Sequence, residues 1–437
     1  MKIPPAWRVY ILGGTLLMAL TICSRNFGDR GGPGFMASLT VAGIAYLLAI
    51  REFFRGRGAR ATPEFSWRVV AIGLVLAAVW HVEFLRLPVG ADDDIHRYVW
   101  DGRLQRLGCN PYLVIPSDPA VKGLHTAETR GLNNPDLPSP YPAGAQLFFR
   151  AVTAIRESTF AFKVAFVVCE FAIVFVLLDL LRLTRRPAHL VLTFAWNPLL
   201  AIEVAGSGHI DIVGALFLVV SAAALVRRWR TAAAVALGLA IAVKLLPIVL
   251  LPIYWKRVRI RDAVLAAAAV ALLYVPFLNH GRIPIGSLGT YVQTFRFNGP
   301  VFAALNRVAP PQWLAGLAVL AGLVTATWLR RSATPEWSPD QFAWPMAASL
   351  LFAPAVFPWY LLGLLPFLTS ASTLLIIIWT VSIIPTYVQW HLRALGRPWG
   401  ALPGWVMLVE YGCVAIAAAI IALRRMPQPP APNAHRS

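Results

Sequence analysis

The amino-acid sequence predicts an all-α, polytopic integral membrane protein of about 12–14 transmembrane helices, with amphipathic surface helices in its first large outer loop. Three observations carry that reading. Of the 437 residues, 58% are hydrophobic and 14% charged, against about 25% charged in a soluble domain. Apolar stretches of spanning length recur from one end of the chain to the other. The Lys and Arg residues behind the net charge of +19 fall in short clusters between those stretches, the pattern that retains basic loops in the cytoplasm. That distribution speaks against a nucleic-acid partner. The four cysteines, Cys23, Cys109, Cys169 and Cys413, show neither CxxC nor metal-ligand spacing, and Cys169 and Cys413 read as packing residues of apolar segments. No small-residue cleavage site follows the first apolar run, so that run is expected to be retained.

A helix that crosses the hydrocarbon needs about 20 apolar residues. In chain order the candidates are 6–24, 35–53, 67–88, 160–182, 187–205, 210–227, 231–244, 245–255, 262–278, 312–330, 341–357, 359–369, 372–391 and 404–423. The short pieces 245–255 and 359–369 also fit re-entrant segments. The chain divides into a helix pair at 1–66, a transmembrane core at 67–425 with its outer loop at 90–156, and a Pro-rich tail at 426–437 expected to be disordered in the cytoplasm. Within the outer loop, the segment after the Asp92-Asp93-Asp94 triplet is amphipathic, and the apolar piece 143–155 is too short to span. Both read as surface helices. The run Asn134-Pro135-Asp136-Leu137-Pro138-Ser139-Pro140-Tyr141-Pro142 between them cannot be helical.

The stretch from Arg230 to Lys256 is basic at both ends. As one helix it would be about 39 Å long, against a hydrocarbon core of about 30 Å, and one basic cluster would lie on the wrong side. A pair of short helices broken near Lys244 and Pro247 puts both clusters in the cytoplasm and Lys244 at the tip. Counted with that hairpin, both termini are cytoplasmic, and the acids Asp92 to Asp94, Asp101, Asp118, Glu128, Asp136, Glu157, Glu203 and Asp211 collect outside.

Charged groups at a membrane are costly and tend to serve function. Asp92 fits a helix N-cap, where a carboxylate complements the dipole, but three adjacent carboxylates exceed what capping needs. Gly206-Ser207-Gly208-His209-Ile210-Asp211 joins two apolar segments; His209 and Asp211 either bind phosphate and sugar hydroxyls or form a turn with an N-cap. Lys244, set in an apolar run, either snorkels or binds an anion. Arg296 with Asn298 and the Pro358-Trp359-Tyr360 run lie in further outer loops, where aromatics commonly form interfacial belts. The chain has no Walker A, GxGxxG, HExxH or GxSxG motif, so a substrate must come through the membrane or from its far side.

The ordered set Asp92-Asp93-Asp94-Ile95-His96-Arg97-Tyr98-Val99-Trp100-Asp101-Gly102-Arg103, Asn110-Pro111-Tyr112, Tyr141-Pro142, Asn197-Pro198-Leu199, Gly208-His209-Ile210-Asp211, Lys244-Leu245-Leu246-Pro247, Phe297-Asn298-Gly299 and Pro358-Trp359-Tyr360 resembles the GT-C glycosyltransferases. It is most similar to the bacterial polyprenyl-phosphate-mannose-dependent mannosyltransferases of the glycosyltransferase family 87 type. The resemblance runs from Trp67 to Phe367. It makes the first two helices an addition, and Phe357 stands where the relatives carry His.

The resemblance implies a membrane enzyme that moves a sugar, mannose by default, from a polyprenyl-phosphate donor to a glycolipid, polysaccharide or protein hydroxyl at the outer face of the plasma membrane. It implies a carboxylate base four residues before an aromatic, which makes Asp94 the first choice and Asp93 the second. A positioned base suits the acceptor hydroxyl, and the leaving phosphate needs cations. Lys244, Arg97, His209 and Arg296, with Asp211, Asn298 and Tyr360, are the candidate donor-binding residues. No metal and no cofactor is expected. The main rival is a lipid or lipid-linked-sugar flippase, which an internal repeat would favour; a non-catalytic lipid-binding scaffold is the third reading.

Overall fold

A computed structural model describes residues 4–55, 65–90, 93–279, 284–332, 337–400 and 402–425. The tail from 426 and Asp92, which the sequence suggested as a helix cap, lie outside the described residues. In chain order the helices are α1 (Pro5–Arg25), α2 (Pro33–Phe53), α3 (Trp67–Leu85), α4 (Asp94–Arg106), α5 (Ala143–Ile155), α6 (Thr159–Leu183), α7 (Leu192–Ala195), α8 (Asp211–Val226), α9 (Arg230–Val243), α10 (Leu251–Tyr254), α11 (Ile260–Tyr274), α12 (Leu288–Thr294), α13 (Pro300–Leu305), α14 (Pro311–Ser332), α15 (Ala343–Leu351), α16 (Leu374–Ser382), α17 (Val388–Ala394) and α18 (Gly404–Arg425). Short 3-10 and π turns join them. An isolated bridge joins Phe297 to Ala355.

Among the described residues, eight helices are long and apolar enough to cross a membrane, or nine if the pair Ala188–Ala195 and Leu200–Gly206, bent by 66°, counts as one span. This is fewer than the candidate segments of the sequence. Two features account for the difference: α8 and α9, at 16 and 14 residues, are shorter than a full span, and Pro198, Pro247, Pro358 and Pro366 remove helical donors and interrupt other central segments. Much of these segments is buried against neighbours, Leu250, Ile253, Leu361 and Leu365 among the buried residues, which suits a broken backbone at membrane depth. The long helices form the periphery and turn apolar side chains outward, such as Phe175 and Leu408, 70% and 74% exposed. In water such a band would be an aggregation hazard.

The ends of the helices sort by charge. Arg8 of α1 meets Glu52 of α2 at 3.5 Å, and Arg227 pairs with Asp179 at the far ends of α8 and α6. Helix α9 stops at Val243, Lys244 is extended, and a 3-10 turn at Leu246–Leu250 leads back through α10. The return brings Thr231 to Asp262, Oγ1 to Oδ1 at 2.7 Å. Arg228, Arg230, Arg259 and Arg261 therefore gather at one end of the hairpin, with Lys244 at the other.

The first helix pair packs into the same core as the rest. Tyr46 of α2 donates to the carbonyl of Thr193 at 2.7 Å, and Gly13 of α1 lies so close to Trp196 that a Cβ there would stand 2.9 Å from its ring. Helices α4 and α5 pack face to face where Gly102 lets the backbones approach: a Cβ there would lie 2.5 Å from the Phe149 carbonyl oxygen.

Candidate active site

The loop that leads from α3 to α4 is held by Lys163 and Arg30. Lys163, buried in α6, donates to the carbonyls of Phe84 and Leu87 at 3.0 and 2.8 Å, so it satisfies orphan acceptors at the end of α3. Lys163 is thus a second cation set in an apolar run, beside Lys244. Arg30, from the turn between α1 and α2, grips both carboxylate oxygens of Asp93 at 2.9 Å and reaches Ser207 Oγ at 2.8 Å. The Gly90 N–H also donates to Asp93 at 2.8 Å. Asp93 takes the N-cap place of α4, but its side chain makes no cap bond; it is committed to Arg30.

With the loop fixed, Asp94 at the first turn of α4 borders a cavity of about 470 Å³. Its Oδ1 accepts from Asn133 Nδ2 at 2.5 Å, and its Oδ2 stands 3.9 Å from His209 Nδ1. Lys244 enters the same cavity from the hairpin tip. Its ammonium lies 3.1 Å from Asp211 Oδ2, with 24% of the side chain still exposed, and it faces the rings of Tyr360 and Tyr141 at 5.0 and 6.0 Å. The remaining wall is largely apolar, with Leu218, Leu246, Met346 and Leu350 among its residues.

His209 forms the third corner. Gly208 ahead of it has φ +77 and touches Ile95, a conformation that glycine adopts freely. The π turn Leu200–Gly206 presents Glu203, whose Oε2 lies 3.1 Å from His209 Nε2; Tyr387 donates to the other oxygen. The imidazole stacks on Trp359 at 4.1 Å and 8°. Trp359 stacks on Phe357 at 4.5 Å, and Phe357 on Phe297 at 4.3 Å. Phe357, where a His was expected by resemblance, is thus a layer in an aromatic column. Burial opposes a charge on His209, but the hydrogen bond and charge of Glu203, with Asp94 and Asp211, outweigh it and raise its pKa.

The structure therefore brings Asp93, Asp94, His209, Asp211, Lys244 and Tyr360 to one cavity. It places the other candidates elsewhere. Arg97 is buried and donates to the main-chain oxygens of Asn133, Asn134 and Leu137, which clamps the Pro-rich run. Arg296 donates to the carbonyls of Val292, Gln293 and Phe295 and covers Phe302 at 4.6 Å. Asn298 donates to Glu410 at 2.7 Å. A guanidinium near helix and loop ends finds carbonyls in reach, and the sequence does not show which arginines will be used that way.

Asn133, Arg30, Glu203 and Arg393 were missed. Arg30 stands at the acidic end, against the charge pattern, and Glu203 sits inside an apolar run; each was a legible signal. Asn133 depends on the path of an irregular loop. Arg393 lines the cavity beside Trp399, 5.4 Å from its ring, and comes from a distant part of the chain. Among the described residues no group of three or more His, Cys, Asp or Glu could hold a metal ion.

A helical protein with membrane-length helices and a cavity that gathers carboxylates, a histidine and a lysine is the class that fold and site define. The chain belongs to the MptA/B family: the model of the alpha-(1->6)-mannopyranosyltransferase N-terminal domain matches residues 14–258. The match starts within α1 and ends just past α10, so it includes the first helix pair and every side chain of the Asp94–His209–Lys244 group. Among solved structures, the crystal structure of ArnT from Cupriavidus metallidurans bound to undecaprenyl phosphate is similar, with 17% identity over 82% of this chain and a TM-score of 0.44. The chain spans 64% of that protein's length. No curated protein sequence matches.

Proposed function

We propose that this protein transfers a sugar, mannose in keeping with its family, from a polyprenyl-phosphate donor to an acceptor hydroxyl at the outer face of the membrane. The observation that carries the reading is that the Asp94 carboxylate, His209 and the Lys244 ammonium converge from different elements on one otherwise apolar cavity. An acid of the outer loop, a cation at a hairpin tip and an apolar wall are what a lipid phosphosugar and a hydroxyl acceptor require together.

The chemistry follows from the positions. Asp94 takes the proton of the acceptor hydroxyl as its oxygen bonds to the sugar's anomeric carbon. The bond from that carbon to the phosphate oxygen breaks, and its electron pair leaves with the polyprenyl phosphate. Lys244 offsets the charge that develops there, which in a low-dielectric cavity weighs more than in water. Asn133 holds one oxygen of Asp94 and leaves the other facing the cavity.

The test is transfer from radiolabelled polyprenyl-phosphate mannose in membranes that carry the protein, with identification of the labelled product. Asp94→Asn keeps size and the Asn133 contact and removes the base. Transfer should fall at least about 100-fold, the lower range of general-base contributions, while donor binding persists. Near-normal turnover of that variant would overturn the assignment, and movement of labelled lipid between leaflets without a glycosylated product would favour a flippase.

A further inference from the structure

Glu203 has no part in the transfer steps above, yet it is among the most enclosed carboxylates of the molecule, 1% exposed. Its main chain also holds His209, whose N–H donates to the Glu203 carbonyl at 2.9 Å. Backbone and side chain together fix the ring so that Nε2 faces Glu203. The other ring nitrogen, Nδ1, is buried without a hydrogen-bond partner among the described residues and points to the side of Asp94, 3.9 Å away.

A neutral imidazole carries one N–H. If Nε2 holds it for Glu203, Nδ1 turns a lone pair toward a carboxylate, which is repulsive. If Nδ1 holds it, the lone pair on Nε2 meets Glu203 instead. Only the doubly protonated ring presents a donor to each side. The charged groups that face it are Glu203 from the π turn, Asp94 from α4 and Asp211 from the start of α8, all acidic. Two cations of the site are engaged by other acids, Lys244 with Asp211 and Arg30 with Asp93; Arg393 also lines the cavity. The face of Trp359 against the ring further suits a cation.

We propose that Glu203 is a positioning residue that keeps His209 an imidazolium, so that its Nδ1–H stands beside Asp94 as a second fixed positive charge for the donor phosphate. The inference rests on the transferase reading. No bond to Glu203 or His209 is made or broken in the reaction. The proton of the acceptor still goes to Asp94, and His209 contributes charge and a hydrogen bond. Lys244 and His209 then flank the phosphate from two elements, while Tyr387 holds Glu203 from a third.

The sign is fixed by the charges. An acid beside a histidine raises its pKa, so the imidazolium is present below that pKa and lost as pH rises through it. Glu203→Gln removes the acid, and His209 should lose its proton at lower pH. The experiment is the pH profile of kcat/KM with polyprenyl-phosphate mannose for the wild type, Glu203→Gln, Glu203→Asp and His209→Gln. The high-pH fall should move down by about one pH unit or more in Glu203→Gln, return most of the way in Glu203→Asp, and vanish in His209→Gln. A merely structural Glu203 would lower activity equally at every pH, and that result, or persistence of the fall in His209→Gln, overturns the proposal.

Tyr387→Phe guards against loss of folding in the Gln variant. It removes a donor that stabilises the Glu203 anion but keeps the carboxylate beside His209, so the fall should move much less than in Glu203→Gln; a downward shift as large as that of Glu203→Gln overturns the proposal. Binding of a polyprenyl phosphate to the purified protein, measured at pH 6 and pH 8, separates the two readings. If the wild type transfers nothing but Glu203→Gln still weakens binding more at pH 8 than at pH 6, the transferase reading fails and the role of Glu203 stands. If transfer occurs and this binding difference is absent, the role of Glu203 fails alone.

Discussion

Asp101 shows how a single residue ties the outer loop together. It is fully buried between α4 and α5, accepts from Ser139 Oγ at 2.5 Å and from Gln146 at 2.9 Å, and burial pushes its pKa up to about 6 from 3.8 against the opposing charge of Arg97. The folded state therefore holds the proton more tightly than the unfolded state, and stability declines as pH rises from about 4 to 6. Asp101→Asn has no such proton to lose, so its stability relative to the wild type should improve by of order 1 kcal/mol between pH 5 and pH 7; thermal melts of the purified protein at the two pH values check this. Lys244 is the second case. Its ammonium pairs with Asp211, which is 7% exposed, and an uncompensated buried acid is costly. Lys244→Met should lose both stability and donor affinity. Lys244→Met with Asp211→Asn should regain stability and still bind the donor at least tenfold more weakly by titration, which separates charge balance from phosphate binding.

At the scale of elements, the turn between α1 and α2 is coupled to the start of α4 through Arg30 and Asp93. The resemblance made the first helix pair an addition, yet its turn anchors the loop that carries Asp94. Arg30→Met leaves Asp93 buried without its partner and should cost about 3–5 kcal/mol. Arg30→Met with Asp93→Asn should recover most of that stability in a melt while kcat stays below the wild type, because the pair also fixes the backbone beside Asp94. Equal kcat in the double variant would reduce the pair to a structural tie. The hairpin at Lys244 was legible because two basic ends and one proline leave a single economical path. The bend at Asn197-Pro198 was not read as a break, although Pro198 removes a donor in mid-segment. Its neighbours then supply a π turn that carries Glu203 inward.

For the whole molecule, helix direction and charge give two distinct ends. The arginines of the hairpin base collect at one, the Asp94 cavity at the other. In sealed cells, with the native cysteines replaced, Lys122→Cys should react with an impermeant thiol reagent added outside and Lys256→Cys should not, since basic clusters remain inside. Equal labelling of the two would overturn the orientation. The peripheral helices were readable because a lipid-facing helix must be apolar over its full length. The interior was less so: α8 and the short pieces around it are apolar on all sides, and a segment enclosed by protein carries no periodic trace of where it ends.

By itself the sequence determined that the chain lies in a membrane, where its long helices run, that a hairpin turns at Lys244, and that the acids Asp93 and Asp94 stand at the start of a helix. Each of these is a local matter of hydropathy, charge or proline. Tertiary structure alone decided that Asp93 is consumed by Arg30, that Arg97 and Arg296 spend their donors on carbonyls, and that Asn133, Glu203 and Arg393 join the site. Polar side chains buried from water must find partners wherever the packing leaves them. Those partners come from segments as far apart as Arg30 and Ser207, whose meeting no local pattern records.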